Sequence, residues 1–247
     1  MKRILRALAE WPWRLLPPGA RSALLKAGIF AAARRPAKAA LIELLEIERV
    51  VSGQIDLASL EYGDGVHVKH RLMRYHDFFV TRIQASESVL DVGCGYGAVA
   101  HSIADRSGAR VTGIDLDAGS IAKARQHFVH PNLSFVHGEA PRDLQRSHFD
   151  VLVLSNVLEH IQSRLEFLRQ LRDKTSASRL LVRVPMSDRE WRVPLRAELG
   201  LFHFSDPTHF TEYTRDTFEQ EMAAAGLAIS HLQVNWGEIW AEVRPAA

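Results

Sequence analysis

Val89-Leu-Asp-Val-Gly-Cys-Gly-Tyr-Gly97 is the stretch that decides how this chain folds. Its first four residues read as a short buried strand, and three glycines follow within five positions. Glycine adopts positive φ without a Cβ clash, so such a turn lets the backbone approach a ligand closely. Ala98–Ser107 then reads as a helix. Strand, glycine turn and helix in that order open a nucleotide-type βαβ unit.

Outward from this unit the pattern repeats. Arg110–Leu116, Leu133–His137, Phe149–Leu154 and Arg179–Val184 read as strands, with helices over Ser120–His127 and Arg164–Lys174 between them. A long aromatic and His-rich insertion runs from Pro185 to Tyr213 and leads into a helix at Arg215–Ala225. Leu227–Asn235 and Glu238–Arg244 are joined by Trp236-Gly237 and form an expected antiparallel pair. The expected fold class is α/β: a Rossmann-like, seven-stranded, mostly parallel sheet with an antiparallel last strand and helices on both faces. Upstream, Ala37–Val51 and His67–Ile83 read as helices. The expected division is a basic helical N-terminal extension over residues 1–60 and a catalytic domain over 61–247.

Composition narrows the class. The chain has 247 residues, 47% hydrophobic and 24% charged, as in ordinary globular proteins. A single cysteine, Cys94, excludes a disulfide framework. No apolar run reaches transmembrane length and no secretory hydrophobic region is evident, so the expected location is cytoplasmic. The net charge of +2 conceals an asymmetry. Residues 1–38 hold nine Lys/Arg against the single acid Glu10, a net +8, while the other 22 basic and 28 acidic residues sum to −6. With Trp11, Trp13, Leu15, Leu16, Ile29 and Phe30, this arm fits peripheral contact with an anionic membrane at its inner face. A helical extension packed on the domain fits the same residues, and no specific nucleic-acid partner is expected.

The cofactor is read from the acids around the glycines. Asp115 closes the next strand, where a carboxylate accepts both hydroxyls of a ribose. Gly93, Gly95 and Ala98 also satisfy the dinucleotide spacing, which leaves NAD in contention. Three features oppose it. Asp91 precedes the glycines, where an anion repels a pyrophosphate but suits a sulfonium and an amino group. Gly97 adds a third glycine in alternation, and no tyrosine is followed four residues later by lysine.

The chain resembles the class I S-adenosylmethionine-dependent methyltransferases from Val89 to about Glu242, in its small-molecule (ubiquinone and sugar methyltransferase-like) branch. Val89–Gly97 is similar to that family's first motif, which implies Asp91, Gly93, Gly95 and Gly97 around the methionine part of S-adenosyl-L-methionine. Gly113-Ile-Asp-Leu-Asp117 resembles the second, implying Asp115 and Leu116 at the ribose. Gly138-Glu-Ala140 resembles the Gly-Asp-Ala after the third strand, with Glu139 in place of Asp and Ala140 beside it. Phe149–His160 is similar to the strand and loop beneath the methyl group, implying Asn156 at the methionine end and His160 at the reaction centre. Phe204–Thr214 resembles the branch's Asp-x-x-His-x-x-x-Tyr-Thr stretch, implying His209 over the acceptor.

An oxygen acceptor must lose its proton as the new bond forms, and histidine titrates near neutrality. His160 and His209 are therefore the candidate catalytic residues, though each also fits a purely structural role, His209 by bonding Asp206. No metal is expected, because no histidine set joins a compact carboxylate cluster along the sequence. Trp191, Phe202, Phe204 and Phe210 are candidates for an apolar lid, and Arg183, Arg189, Arg192 and Arg196 for contact with an anionic acceptor. The leading expectation is O-methylation of a sugar, lipid-linked glycan or related small metabolite. Isoprenoid, quinone-type or N-methylation are alternatives, and an NAD-dependent oxidoreductase or a non-catalytic cofactor-binding scaffold are readings from other classes. Oligomeric state is not indicated.

Overall fold

A computed structural model describes Trp13, residues 15–64 and residues 66–246. Lys2, Arg3, Arg6, Trp11 and Arg14 of the basic arm therefore lie outside the described residues. The chain divides into two compact units, one reaching His67 and including Leu199–Leu201, the other made of Val68–Glu198 and Phe202–Ala247.

The first unit is built on two helices, α1 (Pro18–Ala33) and α2 (Ala37–Tyr62). Pro18 sits in the first turn of α1, where its missing N–H costs nothing, and Pro36 precedes α2. α2 runs on past the expected end at Val51. Val50, Val51, Ser52 and Gly53 are poor helix formers, but each costs at most about 1 kcal/mol and the neighbouring turns carry the helix through. It ends at Gly63, where an added Cβ would lie 1.9 Å from the Val66 carbonyl oxygen.

The second unit opens with α3 (Lys69–Met73) and α4 (Tyr75–Val80) in place of the single helix expected over His67–Ile83. The break is Arg74, at φ +53°, whose side chain pairs with Asp77 at 2.7 Å. The turn lets Tyr75, Phe78 and Phe79 enter the core together.

β1 (Ser88–Val92), α5 (Ala98–Ser107), β2 (Arg110–Asp115), α6 (Ala118–His127), β3 (Leu133–His137), β4 (Val151–Ser155), α7 (Arg164–Thr175) and β5 (Arg179–Pro185) then alternate much as the periodicity predicts. A short helix not expected from the sequence, α8 (Arg192–Glu198), lies in the insertion before α9 (Arg215–Ala224), β6 (Leu227–Asn235) and β7 (Glu238–Pro245). The sheet order is β3-β2-β1-β4-β5-β7-β6, and β7 alone runs opposite to the other six strands. Side chains alternate across the sheet. Leu90, Val92, Leu152, Leu154, Leu180 and Val182 join a core with Leu168, Leu171 and Phe218. Val89, Val111, Val151, Val153 and Leu181 face the other way, onto Ile103, Ile121 and Phe79. Two apolar faces, each covered by helices, oblige the sheet to be an inner layer.

Candidate methyltransferase site

The strand order reverses between β1 and β4, and open α/β sheets bind ligands outside the carboxyl ends of strands at such a point. A cleft of about 330 Å³ lies there. It is lined by Gly93, Asp115, Leu116, Glu139, Ala140 and Val157, among others, so five of the residues chosen from sequence share one cavity.

The glycine turn is held by β2. Gly93 and Cys94 donate their N–H groups to the Ile114 carbonyl at 2.8 and 3.1 Å, and Gly95 donates to Asp115 Oδ2 at 2.8 Å. Gly93, Gly95 and Gly97 all have positive φ. A Cβ at Gly97 would lie 2.4 Å from the Phe135 ring, whereas one at Gly95 would meet nothing within 4 Å. Gly97 is thus demanded by packing, and Gly95 by backbone geometry at an open edge. Asp117 caps α6, accepting the Ser120 N–H at 2.8 Å, and leaves Asp115 Oδ1 to take the Asp117 N–H at 2.8 Å. Each Asp115 oxygen keeps a lone pair for a ligand. Glu139 is partly exposed and pairs with Arg142 at 2.8 Å.

Around the glycines the unpartnered buried atoms are all acceptors. Asp91 is buried, and its Oδ2 and the Oδ1 of Asn156 have no hydrogen-bond partner. Burial pushes the Asp91 carboxyl up to about 8, the Ala100 N–H opposing and the Asp115 charge adding to the rise. Asn156 sits at φ +58°, a left-handed conformation that asparagine tolerates better than most residues. Orphaned acceptors beside a cradle of close backbone fit a cationic ligand such as a sulfonium and its amino group, and oppose a pyrophosphate. Cys94 is part-buried in the turn, and burial raises its thiol pKa, which leaves it a weak nucleophile.

The loop after β4 turns through a 3₁₀ segment, Leu158–His160. It is joined to the insertion by the Phe210 N–H, which donates to the Glu159 carbonyl at 2.8 Å. The join brings both expected histidines together. Their rings meet edge to face with centroids 4.5 Å apart. Burial, then the His209 charge, lowers the pKa of His160. His209 bonds Glu212 through its side chain, at 3.0 Å, rather than Asp206, which accepts only its backbone N–H.

Glu159, one residue before His160 in the quoted motif, was missed as a candidate. It is fully buried, and neither carboxylate oxygen has a hydrogen-bond partner of good geometry. Burial pushes its pKa up to about 7, only partly offset by His209, Asn156 and Arg183. Donor atoms of Glu159, His160 and His209 lie within 4.8 Å of one another, a spacing that one divalent cation could bridge. The expectation of no metal rested on spacing along the chain, and folding brings the three together from positions 159–160 and 209. Glu212 was also missed. Burial opposes its charge, but His209, Ser205 and Arg189 outweigh that and hold the carboxyl at about 2.

Two expected groups are elsewhere. Arg183 is buried, forks onto Glu238 at 2.5 and 2.6 Å and stacks 3.7 Å over the Tyr75 ring, so it is committed internally. Arg189 bonds Glu212, the Met186 carbonyl and the His203 carbonyl. Trp191, Phe202 and Phe210 are exposed, while Phe204 lies 6.5 Å from the His209 ring.

A family described as a methyltransferase domain matches residues 65–232. The chain belongs to the S-adenosylmethionine-dependent methyltransferases. Among curated relatives of this methyltransferase, the mitochondrial ubiquinone biosynthesis O-methyltransferase of Schizosaccharomyces pombe is 32% identical over 40% of the chain and 37% of its own length. The ribosomal protein L11 methyltransferase of Burkholderia thailandensis is 36% identical over 43% of the chain and 35% of its own. The matched stretch thus spans little more than a third of each relative. Magnesium protoporphyrin IX methyltransferase from Synechocystis, solved with bound S-adenosylhomocysteine, shares the fold with a TM-score of 0.58 at 16% identity, over 73% of this chain and 85% of that one.

Proposed function

We propose that this methyltransferase O-methylates a small metabolite bearing a hydroxyl, a sugar or lipid-linked glycan being the leading class. The observation that carries the reading is the Glu159–His160–His209 cluster, in which Glu159 and His209 are buried and His160 is not, on the loop whose Val157 and Ile161 line the cleft. Bound S-adenosylmethionine supplies an electrophilic methyl group to an in-line nucleophile. The chain's residues then divide as follows. Gly93, Gly95, Gly97, Asp91 and Asn156 receive the methionine end, Asp115 and Leu116 the ribose, and Glu139 and Ala140 the adenine side. His209 or His160 takes the acceptor proton, and the surrounding groups exclude water and hold the nucleophile in line. Isoprenoid or quinone-type hydroxyls fit the same cluster, and an amine acceptor would need it less. A screen of glycosides, lipid-linked sugars and quinols with methyl-labelled cofactor tests the reading. Label transfer to a hydroxyl that His209→Ala abolishes supports it, and transfer unaffected by losing both histidines sinks it.

The orphaned oxygens of Glu159 favour a second reading, in which a divalent cation bridges the cluster and polarises the acceptor hydroxyl. Calorimetry with Mg²⁺ and Mn²⁺, wild type against Glu159→Gln, separates the two. Binding at unit stoichiometry that the variant loses favours the metal.

Peripheral contact with an anionic membrane belongs to the same proposal. On α1, Leu24, Leu25, Ile29 and Phe30 are exposed among Arg21, Lys26, Arg34 and Arg35, and no acid lies between Glu10 and Glu43. Among the described residues no helix is long and apolar enough to cross a membrane. Co-flotation with anionic but not neutral liposomes, lost on Leu25→Glu/Phe30→Glu, is the expected result.

A further inference from the structure

Both histidines of the site meet an acceptor at Nδ1. His160 Nδ1 lies 2.9 Å from the Thr208 hydroxyl oxygen. That hydroxyl donates its own hydrogen to Asp206 Oδ1 at 2.5 Å, and the Thr208 N–H reaches the same oxygen at 2.8 Å. A hydroxyl has one proton, so toward His160 the threonine oxygen can only accept.

His209 Nδ1 lies 3.0 Å from Glu212 Oε1, and the side chains of the pair are 4% and 0% exposed. The same oxygen accepts the Ser205 N–H at 2.5 Å and the Ser205 hydroxyl at 2.7 Å, while Oε2 accepts the Arg189 guanidinium. A carboxylate so surrounded by donors has only acceptor capacity to offer the ring.

We propose that Thr208–Asp206 and Glu212–Arg189 are positioning relays that fix His160 and His209 in the Nδ1–H tautomer, so that both Nε2 lone pairs are presented together with Glu159. The inference rests on the reading that the two histidines serve the acceptor. The other tautomer would put the N–H on Nε2, which could then neither take a proton from a hydroxyl nor bind a cation. The groups that touch the two rings, Thr208 and Glu212, come from one stretch, Ser205–Glu212, tied to the β4 loop by the Phe210–Glu159 backbone bond. One segment thus sets both rings, and neither histidine depends on the other for its tautomer.

Long-range ¹H–¹⁵N spectra of histidine-labelled protein near pH 8 read the tautomers directly, with His160→Gln and His209→Gln supplying the assignments. The expected wild-type result is Nδ1–H for both rings. Thr208→Val, which deletes the hydroxyl at nearly constant shape, should move His160 toward Nε2–H and leave His209 unchanged. Glu212→Gln should move His209 and not His160. Affinity for S-adenosylmethionine by calorimetry should stay within about threefold, and turnover on a responsive acceptor should fall roughly 10–100-fold, as for other orienting partners. An Nε2–H ring in the wild type overturns the proposal, as does Thr208→Val that leaves His160 unmoved. Should Glu212→Gln fail to fold, Thr208→Val decides alone. Wild-type protein that binds no S-adenosylmethionine would instead strike the methyltransferase reading, and the spectra would still decide the tautomers.

Discussion

The main-chain N–H of Gly95 donates to Asp115 Oδ2 across 2.8 Å, joining the glycine turn after β1 to the end of β2. The bond holds the turn at positive φ, and the same carboxylate faces the cleft. Asp115→Ala removes the acceptor of two backbone N–H groups together with the carboxylate proposed to hold the ribose. Affinity for S-adenosylmethionine should fall at least tenfold, and the loss of charge-assisted bonds, about 1.5–3 kcal/mol each, should lower Tm even without cofactor. Calorimetry and a thermal melt of the free protein measure the two effects separately.

Asp91 should make cofactor binding pH-dependent. Its carboxyl is pushed up to about 8 by burial, so the free folded protein keeps this proton at neutrality while the unfolded chain releases it near 4. The sign follows from linkage. The folded state binds more protons across that window, so this group's contribution to stability falls as pH rises from about 4 to about 8. A cationic ligand needs the ionised form and must expel the proton. Affinity should therefore rise with pH up to about 8, with proton release measurable near pH 7 by calorimetry in buffers of differing ionisation enthalpy. Asp91→Asn should flatten the profile, and a variant with the wild-type slope would refute the assignment.

Removing His209 should separate chemistry from binding. A general base contributes roughly 10²–10⁴-fold, so His209→Ala should lower turnover by about two orders of magnitude or more while cofactor affinity stays close to wild type. Steady-state kinetics beside calorimetry test this. Unchanged turnover would leave His209 a structural residue.

Arg183 should matter for stability. Its side chain and that of Glu238 are 5% and 13% exposed, and Glu238 otherwise bonds the Trp240 indole N–H at 2.9 Å. Breaking a buried pair from one side costs about 3 kcal/mol or more, because the remaining charge stays buried. Arg183→Met should lower Tm by roughly 6–12 °C for a domain of this size, and Arg183→Met/Glu238→Gln should recover part of the loss. A melt of the three proteins gives the answer.

Periodicity and turn chemistry made most of the fold legible in advance. Apart from α8 and the 3₁₀ turn at Leu158–His160, the strands and helices from Ser88 onward start and stop within a residue or two of their expected positions, because buried strands and amphipathic helices write their period into the chain. The interruption at Arg74 was not legible, since no proline or glycine marks it, and the extension of α2 was not, since Gly53 fails to stop the helix and Gly63 does. The residues that line the cleft were legible for a related reason. Gly93 and Asp115 are marked by turn chemistry and by position at strand ends, and both are local properties.

By itself, then, the sequence determined a nucleotide-type βαβ sheet, the glycine turn at Val89–Gly97 and the acids flanking it. Only the tertiary structure decided which groups gather around His160 and His209. Glu159 and His160 are some fifty residues from His209, and their approach depends on the Phe210–Glu159 backbone bond between two loops. The same holds for Arg183, which sequence reading offered to an anionic acceptor and folding gave to Glu238 and Tyr75. Charge is written in the sequence, but its partner is set by desolvation, which forces a buried ion onto whichever counter-charge the fold brings within reach.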